Sequence, residues 1–292
     1  MNQPYGGHVP AHDAPPVCPR HPDRVSYISC QRCGRPACVE CQRPAPVGVQ
    51  CVDCVRQGQE RIPTVRSSNG VAIRQRPLLV TYSIIGLCVV MFGLQLVVPG
   101  LTELLLDYTP YLYLEPWRLL SGGFLHDDSS ILSLHLAMNM LSLWFLGRAL
   151  EPVVGHWRFA AIFLVGVLGG TVGVALLGNP LTPTLGASGG IFAIGGALLV
   201  ELRKDRQNLI AMAVILGINL VYGFTIGSGV SWEAHVGGLV TGILLGFIFA
   251  SGRKLKAREA YHAVLTLVLA AALSGVSVWV SYALLTGARA IG

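Results

Sequence analysis

The stretch LGASGGIFAIGGALLVEL, from Leu185 to Leu202, decides how this chain is read. It is apolar and long enough for a helix, and its one charge, Glu201, lies near its end. Yet Gly186, Gly189, Gly190, Gly195 and Gly196 crowd into it. A helix in water loses about 1 kcal/mol for each Gly in place of Ala. In a bilayer the backbone has no water to bond to, and glycines let helices approach closely. An apolar, Gly-rich helix with a single hydroxyl, Ser188, therefore belongs in lipid.

Outward from this run the same composition repeats. A transmembrane helix needs about 20 mostly apolar residues. The candidates are 77–98, 131–150, 157–177, 185–202, 208–226, 233–251 and 261–286. Of the 292 residues, 52% are hydrophobic and 12% charged, against about 25% charged in a soluble domain. The net charge of +6 does not point to nucleic acid, because the basic residues of this region sit in short loops between apolar runs.

Those loops orient the chain. Arg74, Arg76, Arg148, Arg158, Arg203, Lys204, Arg206, Arg253, Lys254, Lys256 and Arg258 fall on one side, and only Arg118 and Arg289 on the other. The positive-inside rule then places the N-terminus in the cytoplasm of a multi-pass protein of the cell membrane. Residues 1–17 lack the basic start and apolar core of a secretory signal. The loop 99–130 faces outward, with Tyr108, Tyr111, Tyr113 and Trp117 suited to the lipid–water interface.

Polar groups inside a bilayer are costly and mark function by default. His135, Asn139, Ser188 and His235 come from three runs and lie within roughly 4–12 Å of the outer face at 1.5 Å rise per residue. His135 and Asn139 are i, i+4 and share a helix face. Ser188 opens a helix after a Pro-containing loop, where main-chain N–H groups favour an anion. Gly238, Gly242 and Gly246 form a small-xxx-small stripe for tight packing on another helix.

These residues resemble the signatures of the rhomboid family. They are His135-x-x-x-Asn139, Gly186-Ala187-Ser188-Gly189 and Ala234-His235-x-Gly237-Gly238, with Trp117-Arg118 and Gly147-Arg148-Ala149-Leu150-Glu151 as further landmarks. The resemblance covers residues 77–252 and implies a six-helix core, followed here by a seventh helix to which only packing is assigned. It implies an intramembrane serine endopeptidase with Ser188 as nucleophile and His235 as base. His135 and Asn139 would join the Ser188 N–H around the oxyanion, and Phe192 would pack on the His235 ring. Glu233, at i−2, faces away from His235, so a Ser–His dyad is expected rather than a triad. Substrates would be transmembrane proteins cut near the outer face, and catalysis would need no cofactor. One departure stands out. Asp127-Asp128-Ser129-Ser130 lengthens the spacing from His126 to His135, as an insertion at the mouth that is expected to touch no catalytic position. His126 is expected to be structural, Trp117-Arg118 an interfacial anchor, and His156 and His262 headgroup-level residues.

Residues 18–54 are of another kind. Cys18-x-x-His21, Cys30-x-x-Cys33, Cys38-x-x-Cys41 and Cys51-x-x-Cys54 offer seven thiols and one imidazole. Zinc takes four such ligands, so two structural Zn2+ sites are expected. An odd thiol count and a cytoplasmic location argue against disulfides. Cys88, alone in an apolar run, reads as a small buried residue. The alternation resembles a B-box-type zinc finger, which implies one site of Cys18, His21, Cys38 and Cys41 and another of Cys30, Cys33, Cys51 and Cys54. Arg20, Arg24, Arg32, Arg35 and Arg43 read as a solvated face, with contact to an acidic cytoplasmic partner or anionic lipid as the alternative. The expected organisation is a disordered tail (1–17), the zinc module (18–54), a polar flexible linker (55–76), the membrane core (77–252) and a terminal loop and helix (253–292). Two other functions compete with proteolysis. A catalytically silent rhomboid-like protein that binds membrane clients is disfavoured by the presence of both Ser188 and His235. A transporter is disfavoured by the lack of paired intramembrane charges.

Overall fold

The computed structural model describes residues 15–60, 77–129, 131, 133–225, 231–252 and 255–287. Most of the tail at 1–17, most of the linker and part of the basic loops lie outside them. The chain divides into two units, Met1–Thr64 and Val65–Gly292.

The first unit is built from short antiparallel pairs. Strand β1 (Val17–Cys18) pairs with β2 (His21–Val25), and β3 (Gln42–Pro44) with β4 (Val49–Cys51). Gly48, at φ +64, closes the second hairpin. Helix α1 (Val52–Glu60) follows directly. Residues 55–60, expected as linker, are thus helical, because α1 starts at Val52 and runs on through polar residues. The buried core is Cys18, Cys30, Ala37, Cys38, Cys41, Cys51 and Cys54. Nothing larger than a cysteine is at its centre.

The second unit is helical. In chain order it contains α2 (Leu79–Val97), the short α3 (Leu101–Leu105) and α4 (Arg118–Ser121), then α5 (Leu134–Val154), α6 (His156–Leu177), α7 (Ser188–Leu202), α8 (Arg206–Thr225), α9 (Trp232–Ala250) and α10 (Arg258–Leu285). Among the described residues α2, α6, α9 and α10 are long and apolar enough to cross a membrane, and α7 and most of α8 are shorter apolar helices. The protein is therefore a polytopic α-helical membrane protein.

Helix α7 is the central post, buried along nearly its whole length. The glycine stripe of α9 packs on it. A methyl group at Gly238 would overlap the Gly189 carbonyl, and one at Gly242 the Ala193 carbonyl. Two backbones at this distance exclude side chains between them, as membrane helices require for close association. Large apolar residues fill the rest of the core, including Leu143, Phe159, Phe163, Ile194 and Leu245. Cys88 is fully buried among them.

Hydrogen bonds hold the ends of the bundle. Glu151, fully buried near the end of α5, accepts the main-chain N–H groups of Val80 and Thr81, each at 2.9 Å, and the Thr81 hydroxyl at 2.5 Å. It thereby satisfies donors that the first turn of α2 leaves free. His156 Nδ1 lies 2.7 Å from the same carboxylate. Helix α10 does more than pack. Glu259 bonds Arg158 at 2.5 Å and the Trp157 indole at 3.0 Å. Arg158 donates to His262 Nδ1 at 3.1 Å. At the far end Ser281 donates to the Pro110 carbonyl and accepts from the Tyr113 N–H, both at 2.9 Å. The helix starts before its apolar run, which puts Glu259 on its first turn and buries His262, expected at the headgroups. Arg118 is likewise buried, not interfacial. It bonds Glu115 at 2.5 Å and the carbonyls of Glu103 and Leu106 at 2.7 and 2.8 Å, tying the loop 99–130 together.

Candidate active site

Serine caps set where two of the three site helices begin. Ser133 accepts the Leu136 N–H at 3.2 Å and starts α5 just before His135. Ser231 accepts the Ala234 N–H at 3.3 Å and starts α9 one turn before His235. Helix α7 begins at Ser188 itself, later than its apolar run. Its main-chain N–H is therefore one of the donors that a helix start leaves without an internal partner. His135, Ser188 and His235 all fall in the first turn of their helices, the first two nearer the helix starts than the apolar runs suggested.

The glycines bring these first turns together. Gly186, at φ +130, stands where a Cβ would be 2.9 Å from His135 Cε1, 3.0 Å from its Nε2 and 3.8 Å from Ser188 Oγ. Only glycine suits that backbone conformation and that gap. Across the site a Cβ at Gly189 would lie 3.7 Å from the Ala234 carbonyl, next to His235. The His235 ring stacks on Phe192, with centroids 4.2 Å apart and planes 13° apart. His235 Nδ1 is buried and has no hydrogen-bond partner among the described residues. Glu233 turns away, its carboxylate accepting the Ser231 hydroxyl at 3.0 Å. No hydrogen bond joins Ser188 to His235 in this arrangement. Such bonds often tighten only when substrate arrives. Asn139 is buried and donates one amide hydrogen to the His135 carbonyl at 2.9 Å, leaving its second free of that bond.

The loop before Ser188 is strapped to the loop between α2 and α5. Asp107 and Thr184 exchange main-chain hydrogen bonds of 2.9 and 2.8 Å, and the Gly186 N–H donates to the Gly122 carbonyl at 2.9 Å. The inserted segment at the mouth does touch the site, contrary to expectation: the Asp127 N–H donates to His135 Nδ1 at 3.3 Å. Main-chain groups have no signature in a sequence, and this contact had no other signal. His126 is fully buried, its ring 5.2 Å from that of His135.

In the first unit the eight expected ligands gather into two groups, Cys18, His21, Cys38, Cys41 and Cys30, Cys33, Cys51, Cys54, with the ligand atoms of each within 4.8 Å of one another. Tetrahedral Zn–S bonds of about 2.3 Å give S···S edges of about 3.8 Å. Cys33 and Cys51 are 3.8 Å apart, and His21 Nδ1 is 3.2 and 3.4 Å from the Cys38 and Cys41 sulfurs. The donor set and spacing fit such an ion. The thiols also polarise as a group. The Cys38 N–H, against the pull of burial, draws Cys18 down to about 6. Burial, with the neighbouring Cys18 and Cys38, pushes Cys41 up to about 11.

Residues 113–252 match the rhomboid domain family, a span that contains His135, Asn139, Ser188 and His235. The chain is 35% identical over 141 residues to RHOMBOID-like protein 4 of Arabidopsis thaliana, covering 46% of this chain and 34% of that protein. It is 37% identical over 133 residues to the rhomboid protease GluP of Bacillus subtilis, covering 44% and 25%. It is 30% identical over 183 residues to the rhomboid protease GlpG of Klebsiella pneumoniae, covering 58% and 62%. The chain thus spans between a quarter and about three fifths of the length of these relatives. Over this segment the chain resembles the rhomboid family, and two Cys/His clusters able to hold metal ions precede it in the sequence.

Proposed function

We propose that the protein is an intramembrane serine endopeptidase that cuts transmembrane substrates near the outer membrane face. The observation that supports this reading is that Gly186 sets the His135 ring beside Ser188, while glycine contacts bring the starts of α7 and α9, which carry Ser188 and His235, side by side. Ser188 Oγ attacks the scissile carbonyl as His235 takes its proton, and His235 returns that proton to the leaving amine. With no carboxylate at His235 Nδ1 among the described residues, the Phe192 stack holds the ring in place of a third triad member. The oxyanion is stabilised by the Ser188 N–H at the start of α7, by His135 and by the free amide hydrogen of Asn139. A substrate helix must unwind to offer its carbonyl, since helical carbonyls are engaged in i→i−4 bonds. Small residues at the cut and helix breakers beyond it meet that need.

The remaining organisation belongs to the same reading. Six helices, α2 and α5–α9, form the core and α10 is the seventh span, with the N-terminus cytoplasmic. Each Cys/His group holds one structural Zn2+, as a B-box-type module that recruits a cytoplasmic protein partner. The test is cleavage of a labelled transmembrane substrate by purified protein beside Ser188→Ala and His235→Ala. Cleavage only by the wild type is expected. Equal cleavage by Ser188→Ala refutes the assignment, and none by a well-folded wild type on any substrate leaves the client-binding reading in its place.

A further inference from the structure

His135 holds two ring nitrogens in different surroundings. Nδ1 accepts the main-chain N–H of Asp127 at 3.3 Å. Nε2 lies on the Ser188 side, where a Cβ at Gly186 would sit 3.0 Å from it and 3.8 Å from Ser188 Oγ. A neutral imidazole has one proton, and the nitrogen that accepts a hydrogen bond does not bear it. We infer that the Asp127 N–H fixes His135 in the Nε2–H tautomer, so that the inserted segment is a positioning element for an oxyanion donor. In the other tautomer Nε2 would aim a lone pair at the developing negative oxygen. This inference rests on the endopeptidase reading for its kinetic consequence, but not for the tautomer itself.

Asp127 and Asp128 are held for the task. The Asp127 carboxylate accepts the Ser129 N–H at 3.1 Å, closing a local turn. The Asp128 carboxylate accepts the Thr102 hydroxyl at 2.6 Å. That hydroxyl accepts from the Gln95 amide at 3.0 Å. Gln95 also grips the His126 backbone, donating to its carbonyl at 2.9 Å and accepting its N–H at 3.1 Å. A continuous chain of bonds therefore runs from α2 and α3 to the ring of His135. The His126 ring lies against His135, and neither of its nitrogens has a partner among the described residues, so it makes no rival bond to Nδ1.

The test uses the full chain in detergent with 15N-labelled histidine. Ring-nitrogen NMR reads the tautomer, and His135→Gln assigns the signal. Wild type should show a protonated Nε2 and an unprotonated Nδ1. Asp127→Pro deletes the N–H and Asp128→Ala releases the segment from Thr102. Both should show mixed tautomers and a kcat about tenfold lower at unchanged KM. Asp128→Asn, whose amide oxygen still accepts from Thr102, should restore both signals. Should Asp127→Pro fail to fold, Asp128→Ala reads the same quantity. An Nε2–H signal unaltered in the folded variants overturns the inference. So does unaltered kcat where wild type shows Ser188-dependent cleavage. If wild type shows no such cleavage, the proposed function fails and the tautomer alone decides this point.

Discussion

The two units are held together by opposite means. The first buries seven small residues, six of them cysteines, and no large apolar side chain. The second buries a continuous apolar core and brings helix backbones into contact through glycine. A chain that buries little apolar surface does not offset the entropy of ordering it, and needs a metal or disulfides instead. Membrane helices already have their backbone bonds satisfied and gain from close packing. Stability should therefore depend on a metal in one unit and on shape in the other, and each dependence can be attacked separately.

The largest effect should come from metal removal. Structural zinc supplies roughly 10–16 kcal/mol of apparent binding energy to small modules of this type. A strong chelator should release about two ions per chain and abolish the folded NMR spectrum of the first unit. The helical circular dichroism of the second unit should persist. Loss of both would show that the units do not fold independently.

Next is the α7–α9 contact. Gly242→Leu drives a side chain into the Ala193 carbonyl, and main chain cannot yield as a side chain does. The cost should be about 3 kcal/mol, read as lower thermal stability in detergent at unchanged metal content. A near-neutral effect would break the claim that backbone contact holds the bundle.

Asp107, in the loop between α3 and α4, gives a pH-dependent effect. Burial, opposed by the Thr171 hydroxyl and Arg118, pushes its carboxyl up to about 6, above the roughly 3.9 of an unfolded chain. A carboxyl raised on folding penalises the fold where it is ionised in both states. The penalty is therefore full above about pH 6 and gone below about pH 4. Stability should rise as pH falls through that window by about 3 kcal/mol at most. Asp107→Asn should remove that share of the rise. Equal slopes for the two proteins in thermal unfolding would contradict it.

The smallest effect sharpens the role of α10. Ser281→Ala leaves the Pro110 carbonyl and Tyr113 N–H without their partner. That should cost about 1–2 kcal/mol and raise hydrogen exchange at 109–113. Unchanged exchange there would return α10 to packing alone.

Much of this was legible in the chain itself, for definite reasons. The apolar runs located the long helices to within a few residues, because burial in lipid leaves a continuous hydrophobic record. The Cys-x-x-Cys and Cys-x-x-His spacing marked the eight donors of the first unit, and the resemblance to a B-box implied how they divide into two groups. What stayed hidden was carried by bonds across long sequence separations or by main chain. Glu151 reads as a charge at a helix end, yet it satisfies the start of α2, some 70 residues away. Glu259 precedes the apolar run and reads as loop, and His262, at the run's second position, reads as a headgroup-level residue, because hydrophobicity does not register a polar first turn. Asp127 acts through its N–H, which every residue but proline possesses. The candidate site residues were visible as costly polar groups in lipid, but the contacts that orient them were not.

The central claim is that Ser188 is a nucleophile activated by His235 within the membrane unit. A fluorophosphonate probe tests it most directly, since the adduct forms on an activated serine and is located by mass spectrometry of the intact, folded protein. The account predicts one adduct per chain, on Ser188, lost in His235→Ala and retained after chelation of the first unit. A folded wild type that forms no adduct, or one that labels equally well in His235→Ala, would contradict it.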